Sequence, residues 1–335
     1  MRGAIQCSDM EITAIASRNP EHARQKAEQY HIPVSATYEQ IVKMPEIQVV
    51  YIAALHTAHK DLAILAMENG KSVLVEKPAA VNAADLGEML DCAKRNHVFF
   101  MEAIWTRFFP LMRVLKAEIG RGTIGEVRDL QSSFSFRVPA DHKESRLLNP
   151  DLAGGGLLDV GVYNLHFANE VFGKYPVRMR SLATIDSDEN HIQVDEQACY
   201  IAQYDKGELA TMSSGVRTAM VDAAFIYGTG GYIEIPQFWK PTQMKIVEYP
   251  EDFEHGENIV REVQCPVEQR APEVEDEGYQ YEIRHVNECI RAGKCESPVM
   301  PWEKSMEIVK ECDELRRQWG LEYPFENQKN EKPEI

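Results

Sequence analysis

The strongest constraint on this chain is the alternation of short apolar strands with helices across its first hundred residues. "IQVVYIAAL" (Ile47 to Leu55), "KSVLVEKP" (Lys71 to Pro78) and "VFFMEA" (Val98 to Ala103) are nearly continuous apolar runs, and Pro78 ends the second. Helical stretches fill the gaps. One runs from about Ala58 to Asn69 and stops at Gly70; another is capped by Asn82 and reaches about Asn96. A strand that is apolar on both faces needs cover on both, so the pattern specifies a parallel sheet between helices. An earlier unit, "ITAIASRNPEHARQKAEQY" (Ile12 to Tyr30), has the β-branched run Ile12–Ile15 and a polar turn with Ser17 and Arg18. A helix follows, with Asn19 as N-cap and Pro20 in its first turn, where a missing N–H costs nothing.

After about residue 124 the texture changes. "VRDLQSSFSF", "RMRSLATI", "QACYIAQY", "ELATMSSGV" and "AFIYGTGGYIEI" are short, often alternating, and separated by turn signals. They predict an antiparallel sheet in a second, α+β domain, with a hairpin at Gly228–Gly231. The acidic stretches Glu248–Glu257 and Glu273–Glu282 are expected to be solvated loops. Two late helices are expected near Tyr279–Ala292, with Ile283, Val286 and Ile290 on its apolar face, and near Glu303–Trp319.

A formal net charge of −17 repels phosphate backbones, which argues against a nucleic-acid partner. No apolar run approaches the roughly 18 residues of a membrane span, and the N-terminus lacks the apolar stretch of a signal peptide. The 7 cysteines are scattered without a C-x-x-C pair, as expected of reduced thiols in a cytoplasmic protein. His56 and His59 are not joined by a nearby carboxylate or thiolate, so no metal site is expected.

Three segments carry chemistry. In "VEKPAAVNAAD" (Val75 to Asp85), Lys77 stands at the carboxyl end of a parallel strand, where doubly wound sheets bind ligands. A surface lysine at a strand end is the plainer reading. In "GGGLLDVGVYNLHF" (Gly154 to Phe167), three glycines allow a close backbone approach to a ligand. Asp159 and Tyr163 share a helical face there. Alone they read as a cap and a core aromatic; with Lys77 they make a proton-transfer site, because an adjacent ammonium favours a phenolate. In "MEAIWTRFFP" (Met101 to Pro110), Trp105 serves either as the wall of an apolar substrate pocket or as inter-domain packing. Arg107 serves either a cofactor phosphate or a neighbouring acid.

These motifs resemble the Gfo/Idh/MocA family of oxidoreductases, through "EKP" at Glu76–Pro78 and "GGGLLDVGVY". "MEAIWTRFFP" and Tyr163 bring the likeness nearer to the dimeric dihydrodiol dehydrogenases, which also act as NADP-dependent D-xylose 1-dehydrogenases. The likeness runs from about Asp9 to Phe325. It implies an α/β chain: a Rossmann-type NADP-binding domain over 1–123, its first strand absent, then an α+β domain over 124–302 with an open, mostly antiparallel sheet. Residues 303–335 would form a helix and tail packing back on the first domain.

The resemblance also implies roles. Lys77 and Tyr163 would be the catalytic pair with Asp159 in support, and His166 is the alternative base. Ser17 and Arg18 would hold the 2′-phosphate of NADP, which is preferred to NAD. Tyr51, His56 and His59 would border the cofactor's nicotinamide side, and Leu55, Glu76, Lys77 and Arg107 would also bind the cofactor. Trp105 and Tyr163 would meet a sugar or cyclic diol, and the open sheet would form a homodimer. The alternative is a non-catalytic sugar- or nucleotide-binding relative, or an impaired fragment.

That alternative arises because the family has about twenty residues ahead of this Met1, forming the first strand and the glycine turn that holds the pyrophosphate. Gly3 stands alone, and a start assigned too far downstream, or a truncation, is the simplest explanation. A chain extended by a strand and a G-x-G-x-x-[GA] turn is expected to melt higher and bind NADP more tightly. Side-by-side thermal unfolding and cofactor titration check this; equal behaviour would displace Ile12–Ser17 from the second-strand position.

Overall fold

The strands of the first hundred residues are short and parallel, and three of the helices between them start at a local side-chain cap. A computed structural model describes residues 2–139, 141–142, 144–185, 193–252, 254–271 and 277–327. The chain divides into two compact units: Met1–Phe108 with Val267–Met306, and Phe109–Pro266 with Glu307–Ile335.

In the first unit, β1 (Ala14–Ala16) pairs in parallel with β2 (Val34–Ala36). A separate parallel ladder joins β3 (Val49–Ile52), β4 (Ser72–Glu76) and β5 (Phe100–Ala103). The expected strand at Ile12–Ile15 is thus shifted slightly along the chain. Asn19 caps the helix Pro20–Tyr30, its Oδ1 accepting the N–H groups of Glu21 and His22 at 3.0 and 3.3 Å. Asn82 does the same for the helix Ala83–Asn96, accepting from Asp85 at 2.9 Å. Gly70, at φ +72°, ends the helix His59–Glu68 in the backbone region that favours glycine.

The second unit is built on an eight-stranded sheet. Its strands are β6 (Val127–Ser135), β7 (Arg178–Ile185), β8 (Asp195–Gln203), β9 (Leu209–Gly215), β10 (Ala223–Gly228), β11 (Gly231–Pro236), β12 (Gln243–Glu248) and β13 (Ile259–Gln264). The spatial order is β13-β12-β11-β10-β6-β9-β8-β7, antiparallel throughout except for the parallel pair β6/β9. The hairpin expected at Gly228–Gly231 joins β10 to β11, with those two glycines opposite each other.

Alternation along β8 sends Ala198, Tyr200 and Ala202 inward, while Gln197, Cys199 and Ile201 face out. The inner face is covered by the helix Val162–Phe172, buried from Val162 to Val171 even at the polar positions Asn164, His166, Asn169 and Glu170. The outer face stays open. Leu182 is 82% exposed and Ile201 52%. Phe225, Tyr227, Tyr232 and Tyr249 form a row of ring contacts with centroid spacings of 6.2, 6.0 and 6.4 Å.

Of the two acidic stretches, residues 253 and 273–276 lie outside the described residues. Glu248 closes β12, and Glu282 is not a loop residue: it belongs to the helix Tyr279–Arg291 and is fully buried. Among the described residues, no helix is long and apolar enough to cross a membrane. All seven cysteines are free thiols.

The edge strand β13 is fastened to the helix Pro110–Gly120 through Glu118, which accepts from Arg261 at 2.9 Å and Thr123 at 2.7 Å and pairs with Arg121. Chiefly through the Arg261 hydrogen bond, and against desolvation, its carboxyl is held down at about 2. A carboxyl lowered on folding adds stability above its ordinary range, and that stability is lost as pH falls toward the folded value. Glu118→Gln should therefore lower the melting temperature at pH 7, and the gap from the parent should close as the pH falls from about 4.5 toward about 2. Thermal unfolding of both proteins across that range checks it.

Candidate active site

In the first unit the candidate residues gather at the carboxyl ends of β3 and β4. Glu76 closes β4 and Lys77 follows it. The Tyr51 hydroxyl donates to Glu76 Oε1 at 2.5 Å and lies 3.5 Å from Glu282 Oε1; the Lys77 N–H reaches Glu76 Oε2 at 3.3 Å. Burial raises the Glu76 carboxyl above its ordinary value. Burial, then the charges of Glu282 and Glu76, push the Tyr51 hydroxyl well above its own. Tyr51 is thus a committed donor, anchoring the carboxylate that immediately precedes Lys77.

His59 is completely buried. Its Nδ1 is 2.9 Å from the Pro78 carbonyl and its Nε2 3.3 Å from that of Ala54. Burial lowers its pKa, and a neutral imidazole has one N–H to share between the two carbonyls. His59 thereby ties the strand end after β3 to the segment after Lys77. His56 meets it edge-on at 5.7 Å, and Leu55 opens the short turn His56–Ala58. On the other side, the Ala79 N–H donates to buried Glu102 of β5 at 2.9 Å.

Trp105 stacks on Tyr279 at 4.2 Å with an interplanar angle of 25°, a contact within its own unit. Arg107 is buried beside Lys304, a like charge; burial, then Arg107, lower the Lys304 ammonium to about 8. Arg18 is exposed just past β1, and the Ser17 Oγ accepts the Asn19 N–H at 3.2 Å.

In the second unit the segment Gly154–Tyr163 forms a π-helical turn, Leu157–Gly161, that runs into the helix Val162–Phe172. The three glycines are explained by the chain's own neighbours. A Cβ on Gly154 would lie 2.7 Å from the carbonyl oxygens of Arg146 and Leu147, and one on Gly156 would lie 3.1 Å from Gly215. Gly155, at φ +111°, presses on Asp195. Close backbone approach is real here, but what it approaches is protein.

β8 secures this turn at two points. Asp195 Oδ2 accepts the Leu157 N–H at 2.6 Å, and the Tyr200 hydroxyl donates to the Gly161 carbonyl at 3.2 Å while accepting from Asn164 at 3.1 Å. Burial pushes the Asp195 carboxyl up to about 7 despite the Leu157 bond. Asp159 pairs with Arg146 at 2.8 Å. The Tyr163 ring meets the edge of Phe134 at 5.4 Å, and Phe134 stacks on Trp239 at 4.9 Å. His166 lies buried further along the same helix.

Comparison with known proteins now settles the family. Residues 2–104 match the model of the oxidoreductase family with an NAD-binding Rossmann fold, and 112–234 match the GFO/IDH/MocA C-terminal domain. The chain belongs to the Gfo/Idh/MocA oxidoreductases. It is 33% identical over 320 residues to the trans-1,2-dihydrobenzene-1,2-diol dehydrogenase of Xenopus tropicalis, covering 94% of this chain and 92% of that one. The human protein of the same name is 32% identical, with 95% and 91% covered. Among solved structures, aldose-aldose oxidoreductase from Caulobacter crescentus superposes with a TM-score of 0.80 at 22% identity, covering 95% of this chain and 91% of that one. Levoglucosan dehydrogenase, solved with NADH and levoglucosan, superposes at 0.82 and 19%, covering 95% and 93%. The Rossmann-type first unit and the open, mostly antiparallel sheet of the second are the architecture expected from the motifs.

As a Gfo/Idh/MocA member the chain is an NAD(P)-dependent oxidoreductase, and its residues include groups whose chemistry suits such a cofactor. Exposed Arg18 beside Ser17 suits an anionic ribose substituent, and the adjacent cations Arg107 and Lys304 suit a phosphate. Gly3, by contrast, is consumed in packing: a Cβ there would stand 2.5 Å from Tyr279 Cβ. Among the described residues no group of three or more His, Cys, Asp or Glu could hold a metal.

Reading the sequence did not find Arg146, Glu282, Asp195 or Lys304. Glu282 left one sequence signal, its place four residues before Val286 on the buried stripe of its helix. The others left none, because their roles depend on which elements the fold brings alongside.

Proposed function

We propose that this chain oxidises a CH–OH group of a sugar or cyclic diol, of the D-xylose or trans-dihydrodiol type, with NADP as hydride acceptor. Tyr163 is the general acid/base, Lys77 is its cationic partner and Asp159 supports them. One observation carries the reading: the same chain has a lysine directly after a parallel strand and a tyrosine in the first turn of a buried helix, just past an aspartate already charge-paired to Arg146. The bound cofactor supplies the hydride acceptor. The protein's own part is to take the hydroxyl proton at Tyr163 Oη, a transfer that an ammonium favours by stabilising the phenolate. Trp105 contributes apolar surface toward the substrate. The open outer face, with Leu182 and Ile201 exposed, suits a homodimer, and seven free thiols suit the reducing cytoplasm.

Tyr163→Phe should retain cofactor binding and lose at least ~10² in kcat, the usual scale of a general base. Lys77→Met should lose activity as well. NADP reduction with trans-1,2-dihydrobenzene-1,2-diol and with D-xylose measures both. A Tyr163→Phe protein that keeps more than about a tenth of the rate would transfer the base role to Lys77 or His166.

The preference for NADP over NAD rests on Arg18. Its guanidinium stands exposed after β1, at the place where an acidic residue would bind a free 2′-hydroxyl. Arg18→Ala should raise the KM for NADP and leave NAD use nearly unchanged. Equal or better use of NAD by the parent protein would overturn the preference.

A further inference from the structure

Asp195 opens β8 with a carboxylate that has no exposure to solvent, and the chemistry proposed above makes no use of it. The first N–H groups of any helix lack partners within it. A local serine, threonine, aspartate or asparagine usually supplies one. The π-turn at Leu157 has Gly156 in the capping position, with no side chain to offer. Its cap comes instead from a residue 38 positions away in sequence: Asp195 Oδ2 takes the Leu157 N–H at 2.6 Å.

The approach is close enough to constrain the sequence. A Cβ on Gly155 would fall 2.0 Å from Asp195 Oδ1, and the φ of +111° there already favours glycine. The same strand holds the other end of the turn, where Tyr200 donates to the Gly161 carbonyl. Arg316, Tyr323 and Tyr200 are the charged and titratable groups that face Asp195 from the surrounding elements.

We infer that Asp195 is the positioning residue of the acid/base helix, its carboxylate capping that helix from a neighbouring strand and so fixing where Asp159 and Tyr163 stand. The functional half of this inference rests on Tyr163 being the acid/base. A backbone N–H held by a buried carboxylate fixes the start of the helix, and small misplacements of a catalytic group cost large factors in rate.

The test uses the full chain with three substitutions. Asp195→Asn keeps the shape and an acceptor oxygen but removes the charge. Asp195→Ala removes both. Gly155→Ala pushes a methyl against the carboxylate from the other side. Amide hydrogen exchange is followed over 155–163, with β10 as an internal control, and kcat and KM are measured alongside. Asp195→Ala should speed exchange over 155–163 by about tenfold or more while β10 is unchanged, with Asp195→Asn between it and the parent. In all three variants kcat should fall further than KM rises. If Asp195→Ala fails to fold, Asp195→Asn and Gly155→Ala carry the test.

Exchange over 155–163 within twofold of the parent in Asp195→Asn would overturn the cap. Equal acceleration of 155–163 and β10 would reduce Asp195 to general stability and overturn the inference too. So would faster exchange over 155–163 with kcat unchanged. Tyr163→Phe is assayed in parallel. Retained kcat in that variant would end the acid/base reading, while the exchange data would still judge the cap.

Discussion

A helix buried along nearly its whole length needs its terminal backbone groups satisfied by protein, since water cannot reach them. In the second unit that need is met by β8. The strand places a carboxylate at the start of the π-turn and a phenol at its end, with residues between them facing alternately into the sheet and out. The three glycines follow from this arrangement: two of them bring the turn close to Asp195 and Gly215, and the third rests on the carbonyls of the preceding loop. Asp159, Tyr163 and His166 take their positions from that seating. The Arg146 pair then neutralises Asp159 at a place where an uncompensated buried charge would be costly.

The first unit solves a related problem with different groups. Lys77 follows a strand end whose half-buried carboxylate, Glu76, needs donors there. Tyr51 and the Lys77 N–H supply them. His59 stitches the segment after Lys77 to the loop after β3, and Glu102 fastens it again through Ala79. A lysine on such a frame has its backbone fixed from three neighbouring segments.

The features legible in the sequence were those written within a few residues of where they act. Asn19 and Asn82 cap the helices they precede, Gly70 ends its helix and the Gly228–Gly231 hairpin closes as read. Apolar runs bounded by helices gave the parallel strands, and alternation gave the inward face of β8. What escaped were interactions between residues far apart in the chain: Asp195 with Leu157, Tyr51 with Glu282, Arg261 with Glu118. Each joins elements that periodicity can identify singly but cannot pair. The glycine run shows the same limit from the other side. Its composition correctly required a close approach, yet whether the neighbour was a ligand or a strand depended on the fold.

One packing arrangement gives this protein an optical property. Trp239 lies flat on Phe134, and Phe134 meets the ring of Tyr163 edge-on. Trp239 is thus joined to the proposed base through a single intervening ring. Indole emission depends on the polarity and contacts around the ring. A molecule that settled against Tyr163 and turned it would disturb an indole two rings away, and intrinsic fluorescence would report it without any added label.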